Sequence, residues 1–188
     1  MGSGRVRWLK GYLVSLPIAI HLCKMTKYSM QHIFLYGPPG SGKTYQSRKL
    51  SKEKDIPLWE ADDLRATARS EHTREEDPFV YLGTTEAYKE FGELNRENVI
   101  KGLLAVRSAM WPFIERRAKG FESLIIEAAF IDPFKAREYG DVRLVVEMDD
   151  KKYEGQFFKN RERTKETLDS FIAAKWIRDY MVGEKTNL

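Results

Sequence analysis

The 188-residue chain carries 32 Lys and Arg against 28 Asp and Glu, a net charge of +4, and one cysteine. That length suits a single α/β core without obvious room for a second domain, and the near-balance of charge describes a mixed surface rather than a basic slab, so a nucleic-acid partner is only weakly favoured. Cys23 alone forms no intrachain disulfide, and no Cys/His cluster has metal-ligand spacing, which fits a reducing cytoplasm.

At the N-terminus, Tyr12–Cys23 is apolar with basic residues on both sides. It is too short to span a bilayer, contains Pro17 and His21, and has no small-residue cleavage site. Residues 1–29 therefore read as an N-terminal extension ahead of a domain at 30–188, with Met25 or Met30 as its functional start. The competing reading is an amphipathic segment packed on that domain.

The first predicted strand, Ile33–Tyr36, runs into "GPPGSGKT" and then into the helix formers of "KTYQSRKLSKEK". Strand, glycine-rich loop and helix are the context in which G-x-x-x-x-G-K-[ST] signifies phosphate binding. Gly37, Gly40 and Gly42 permit backbone conformations that a Cβ forbids, so amides near Ser41 and Tyr45 can turn toward phosphate oxygens at a helix N-terminus. Pro38 and Pro39 stiffen the loop but bring no N–H. Lys43 is the expected cation for the terminal phosphates of ATP, and the Thr44 hydroxyl an expected Mg²⁺ ligand.

Next come a strand at Ile56–Glu60 and a helix at Ala61–Ser70, with Asp62 and Asp63 at the junction and Arg65 and Arg69 one turn apart. One of these carboxylates can orient an acceptor hydroxyl while the arginines hold an anionic substrate. The alternative is that Asp62 merely caps the helix. A long helix at about Glu93–Lys119 leads to a strand at Ser123–Glu127, whose terminal Glu127 is a candidate for Mg²⁺-bound water. The last strand, Val142–Met148, precedes two helices meeting near Thr164–Glu166. Between them "KNRERTKE" brings Arg161 and Arg163 into a predicted lid at about 150–166, placed to stabilise charge on a migrating phosphoryl group.

Strands alternating with helices predict an α/β fold, a P-loop NTPase three-layer α/β/α with a mainly parallel sheet and a helical lid. The loop, the D-x-x-R of "DDLR", "TTEAYKEFG", "VIKGLLAVRSAMWPFIERRAKGFESLIIEAAFIDP" and "RERTKETLDSFIAAKWIRDYM" together resemble archaeal 2-phosphoglycerate kinase, a small P-loop kinase, from about residue 32 to 183. The chain departs from that family in Pro38 and Pro39, and in Ala128 and Phe130, which stand where the family carries Gly and His. The resemblance implies a MgATP-dependent kinase. The acceptor stays open among 2-phosphoglycerate, another small anionic metabolite and a nucleotide. Rival readings are a polynucleotide kinase, against which no basic stripe interleaved with aromatics is found, and an AAA-like ATPase, against which no apolar run ends in Asp-Glu.

Overall fold

The computed structural model describes residues 32–188; the predicted extension at 1–29 lies outside the described residues. Strand β1 (His32–Tyr36) leads through the glycine loop to α1 (Lys43–Lys54), then β2 (Leu58–Glu60) and α2 (Ala61–Glu71). Two short 3₁₀ turns, Pro78–Val80 and Ala87–Glu90, carry the chain to α3 (Arg96–Lys119). After it come β3 (Ile125–Glu127), α4 (Pro133–Ala136), β4 (Gly140–Leu144), α5 (Asp150–Phe158) and α6 (Lys165–Lys185).

The four strands form one parallel sheet in the order β2-β3-β1-β4. Alternation along β1 sorts its side chains between two helical layers. Ile33 and Leu35 join Ile125 and Val145 beneath Leu50 of α1. Phe34 and Tyr36 face the other way, into a larger core built with Leu64, Leu103, Met110, Ile114 and Ile177 from α2, α3 and α6. Each such buried aliphatic stabilises the fold by about 1.5–3 kcal/mol, so the α3 side supplies most of the hydrophobic driving force. The expected three-layer α/β/α architecture is the one observed.

Element boundaries differ from the expected ones for local reasons. The last strand was expected at Val142–Met148 but spans Gly140–Leu144, because its partner β1 ends at Tyr36, opposite Leu144. Val145 follows by turning its carbonyl toward Gly37, where a Cβ would lie 2.0 Å from that oxygen. The long helix begins at Arg96 rather than Glu93, because the Asn95 side chain caps it by accepting from the Asn98 amide at 2.8 Å. Pro112 sits inside α3 on its exposed side, where its missing N–H leaves solvent access to the carbonyl it would have served.

Across the interior, Arg107 of α3 and Glu184 of α6 form a buried bidentate pair at 2.6 and 2.9 Å. Removing either partner alone would strand a buried charge, a loss of about 3–5 kcal/mol. Burial and then the neighbouring Glu184 push the Tyr36 phenol up to about 12, so it stays neutral under this pair.

Candidate functional site

The carboxyl ends of β1, β2 and β3 open into a cleft of about 490 Å³. Lys43, Thr44 and Glu127 line one part of it; Asp62, Arg65, Thr84, Thr85 and Phe130 line another, with Arg48, Glu60 and Arg161 at its margins. A groove of about 500 Å³ lies elsewhere, on the outer side of α3 between His72, Phe79 and Phe113. No strand ends there, and its arginine, Arg116, is already taken by Glu71 at 2.8 and 2.9 Å.

In the glycine loop, Gly40 and Gly42 hold φ of 82° and 86°, left-handed values that strain any residue with a Cβ. Gly42 is the N-cap of α1 and offers no side chain to cap it. The first intrahelical bond runs from the Gln46 amide to the Gly42 carbonyl at 3.2 Å, so the amides of Lys43, Thr44 and Tyr45 have no acceptor inside the helix. They point from the positive end of the helix dipole. The buried Ser41 hydroxyl oxygen likewise has no hydrogen-bond partner among the described residues. Pro38 and Pro39 act through their carbonyls: Pro38 accepts from Lys43 Nζ at 3.0 Å and Pro39 from the Tyr153 hydroxyl at 2.8 Å. Tyr45 is 76% exposed and can offer this end only its backbone.

Lys43 and Glu127 are both buried, with Nζ 3.7 Å from the carboxylate. Burial lowers the Lys43 pKa, opposed by Glu127 and then reinforced by the positive charge of Arg161. Thr44 donates its hydroxyl to the other Glu127 oxygen at 3.0 Å. A buried carboxylate and a hydroxyl form an all-oxygen donor pair suited to a hard cation such as Mg²⁺, and the free amides with Lys43 suit a polyphosphate. The residues present therefore fit MgATP. Among the described residues no group of three or more His, Cys, Asp or Glu has metal-site geometry, so protein side chains alone do not make a cage.

The other part of the cleft separates residues that are adjacent in sequence. Asp63 turns back to cap α2, accepting from the Glu60 amide at 3.2 Å, whereas Asp62 lines the cleft. Arg65 lines it too, half-buried, with one guanidinium nitrogen donating to the Val80 carbonyl at 3.1 Å and its plane 4.7 Å from the Phe130 ring centre. Burial, then repulsion from Arg69, brings its pKa down to about 10, still charged at neutral pH. Arg69, expected beside it as a substrate ligand, instead binds the backbone carbonyls of Val80 and Tyr81 at 3.4 and 3.2 Å and does not line the cleft.

The predicted lid divides in the same way. The inner face of α5 is packed down, Tyr153 and Phe157 being buried against Phe171 and Ala174. Arg161 follows it into the cleft, over the Phe157 ring at 4.3 Å and donating to the Phe157 carbonyl. Arg163 is drawn outward to Glu154 at 2.8 Å and does not line the cleft.

Sequence reasoning overlooked Arg48, Glu60, Thr84 and Thr85 as lining residues, whereas Phe130 stands at a position the family resemblance places near the acceptor. Arg48 and Glu60 bridge α1 and β2 in a bidentate pair at 2.6 and 2.8 Å. Their i, i+12 separation carries no recognisable pattern. Thr84 and Thr85 belong to "TTEAYKEFG", a stretch that stood out only as part of the family resemblance.

No family model matches the chain. Among solved structures it is similar to TT1252 from Thermus thermophilus, at 16% identity and a TM-score of 0.46 over 76% of this chain and 79% of that one. At that level of similarity the functional reading stands on the geometry of the cleft.

Proposed function

We propose that the protein is a kinase that transfers the γ-phosphoryl group of MgATP to a hydroxyl of a small anionic metabolite, in an ATP-containing compartment such as the cytoplasm. The observation that carries this reading is the convergence, in one cleft, of a helix terminus with free amides, an aspartate with no partner among the described residues and a half-buried arginine: Lys43, Thr44 and Glu127 meet Asp62 and Arg65. MgATP, when bound, supplies the phosphoryl group and the charge-neutralising cation. Lys43 and Arg161 offset negative charge at the transferred group. Asp62 orients the acceptor hydroxyl and takes its proton. Arg65 has further guanidinium N–H groups beyond the one on Val80, free to grip the acceptor's anionic group as a fork.

A small acceptor without a base is favoured over a nucleotide or polynucleotide. Among the described residues, Phe130 is the one aromatic ring lining the cleft, and Arg65 covers it. A nucleobase thus finds no free stacking platform. No helix among the described residues is long and apolar enough to cross a membrane, which agrees with a substrate taken from solution. The family resemblance makes 2-phosphoglycerate the first acceptor to try.

The test is incubation with γ-labelled ATP beside a metabolite pool, RNA, or no acceptor. Label should enter a small anionic product, and Arg65→Ala should raise the KM for that acceptor by about 10- to 100-fold, roughly 1.4–2.7 kcal/mol, with the KM for ATP unchanged. Label entering RNA, or released only as free phosphate, would overturn the proposal.

A further inference from the structure

The glycine loop has little to hold it in shape. Pro38 and Pro39 donate no hydrogen bonds, Gly40 and Gly42 have no side chains, and the loop joins no strand. A loop that must present several amides to one polyanion gains affinity when an outside contact fixes it beforehand. Two carbonyls provide such contacts. Pro38 is held from within, by Lys43 and the Ser41 amide. Pro39 is held from α5, 114 residues away, by the Tyr153 hydroxyl at 2.8 Å.

Tyr153 is itself firmly seated. It is fully buried, Phe171 of α6 lies 5.7 Å from its ring, and the Arg178 guanidinium sits 5.2 Å above it. Arg178 is pinned in turn by Asp150 at 2.7 Å, on the first turn of α5. Burial pushes the Tyr153 phenol well above its ordinary range, so it remains a donor throughout the working pH range. One helical turn further along the same face, Phe157 approaches Gly40 so closely that a Cβ there would lie 3.0 Å from the Phe157 Cα. The same Phe157 seats Arg161 through its carbonyl and ring.

We infer that Tyr153 is a positioning residue for nucleotide binding: its hydroxyl, bonded to the Pro39 carbonyl, fixes the phosphate loop against α5. This rests on the nucleotide-binding reading above. It assigns the Pro-Pro pair a purpose, since the carbonyl of Pro39 becomes the anchor and the fixed φ of each ring limits how far the anchored segment can swing. The role belongs to the hydroxyl, because the ring alone would satisfy the packing among Phe157, Phe171 and Ala174.

Tyr153→Phe separates the two contributions. ATP affinity is measured by calorimetry, steady-state constants with the acceptor found by the labelling screen, and Tm by thermal unfolding. Tyr139→Phe serves as control; it removes a hydroxyl that donates to Glu115, away from the cleft. Tyr153→Phe should raise both the Kd and the KM for ATP about three- to tenfold, with kcat and the acceptor's KM nearly unchanged. The Tyr139 variant should leave all four constants unchanged. A Tyr153→Phe protein with lowered Tm but unaltered Kd for ATP would make the hydroxyl structural only and overturn the inference. So would equal effects from both variants. Failure of the unaltered protein to bind ATP would overturn the nucleotide reading and this inference together, whereas ATP binding insensitive to Tyr153→Phe overturns the inference alone.

Discussion

The two parts of the cleft are built on opposite plans. The part proposed for phosphate is short-range, and its charged side chains are paired: Lys43, Thr44 and the loop come from one run of sequence, and Glu127 closes the set from the adjacent strand with contacts of 3.0 and 3.7 Å, leaving the loop's backbone amides as the open donors. The part proposed for the acceptor is assembled from α2, the stretch around Thr84 and Thr85, and Phe130 after β3, and Asp62 and Arg65 make few bonds to their neighbours in the cleft. A tightly paired site presents the same charges to every substrate of its kind. A loosely paired one has unspent side-chain hydrogen-bonding capacity, through which specificity can be written. The phosphate part should therefore tolerate no substitution, while the acceptor part should respond residue by residue.

The largest effect should come from the paired part. Lys43→Met keeps the apolar stem of the side chain while removing the ammonium; Glu127 keeps its Thr44 bond but loses its buried counter-charge, so Tm is measured beside activity to separate the two losses. Phosphoryl transfer should fall by about 10³-fold or more, and ATP affinity should drop with it. The comparison between the two parts breaks if labelled transfer persists at near-normal rate.

Next is the distinction between two neighbouring aspartates, which sequence alone left open. Asp62→Asn should lower kcat by about 10²- to 10³-fold with little change in either KM, because the carboxylate acts on the hydroxyl in the transition state. Asp63→Ala should leave kcat alone and reduce stability by about 0.5–2 kcal/mol, the loss of a helix-terminal hydrogen bond. Steady-state kinetics beside denaturant unfolding reads both. Reversal of the two outcomes would move the acceptor to the outer side of α2.

How much of this was legible in the sequence follows the same division. The strand–loop–helix unit was readable because its geometry is local: a strand, three glycines, a lysine and a helix in sequence order leave little freedom for their arrangement. The sheet was readable for the same reason, since apolar runs ending in Tyr36, Glu60 and Glu127 mark three strand tips at one end of a parallel array. The fourth strand slipped because a strand's length is set by its partner, and the apolar run to Met148 says nothing of where β1 stops. Arg69 and Arg163 lie outside the cleft expected for them, because charge and helical spacing show that an arginine is available, and only tertiary structure shows what claims it. For Arg69 that is the pair of carbonyls at Val80 and Tyr81, whose 3₁₀ turn has no periodic signature. For Arg163 it is Glu154, nine residues earlier.

The smallest effect tests that last point. Arg161 and Arg163 are both exposed, both stack on a phenylalanine of α5, at 4.3 and 4.4 Å, and are separated by one residue. Their difference lies in where the chain leaves the helix: Arg161 is bonded to the last turn of α5 at Phe157 and is carried over the loop, while Arg163 has passed beyond it and meets Glu154 on the solvent side. Arg161→Ala should reduce kcat about 10- to 100-fold, since a cation beside the transferred phosphoryl group acts mainly in the transition state. Arg163→Ala removes an exposed pair worth less than about 1 kcal/mol and should leave kcat and both KM values within error. Raising the salt concentration separates them further: the residual contribution of Arg163 to stability should vanish by screening, whereas the kcat loss of Arg161→Ala should persist because the bound substrate excludes the screening ions. Equal kinetic losses at the two positions would mean that the 159–164 segment rearranges when nucleotide binds, bringing Arg163 off Glu154 and into the cleft.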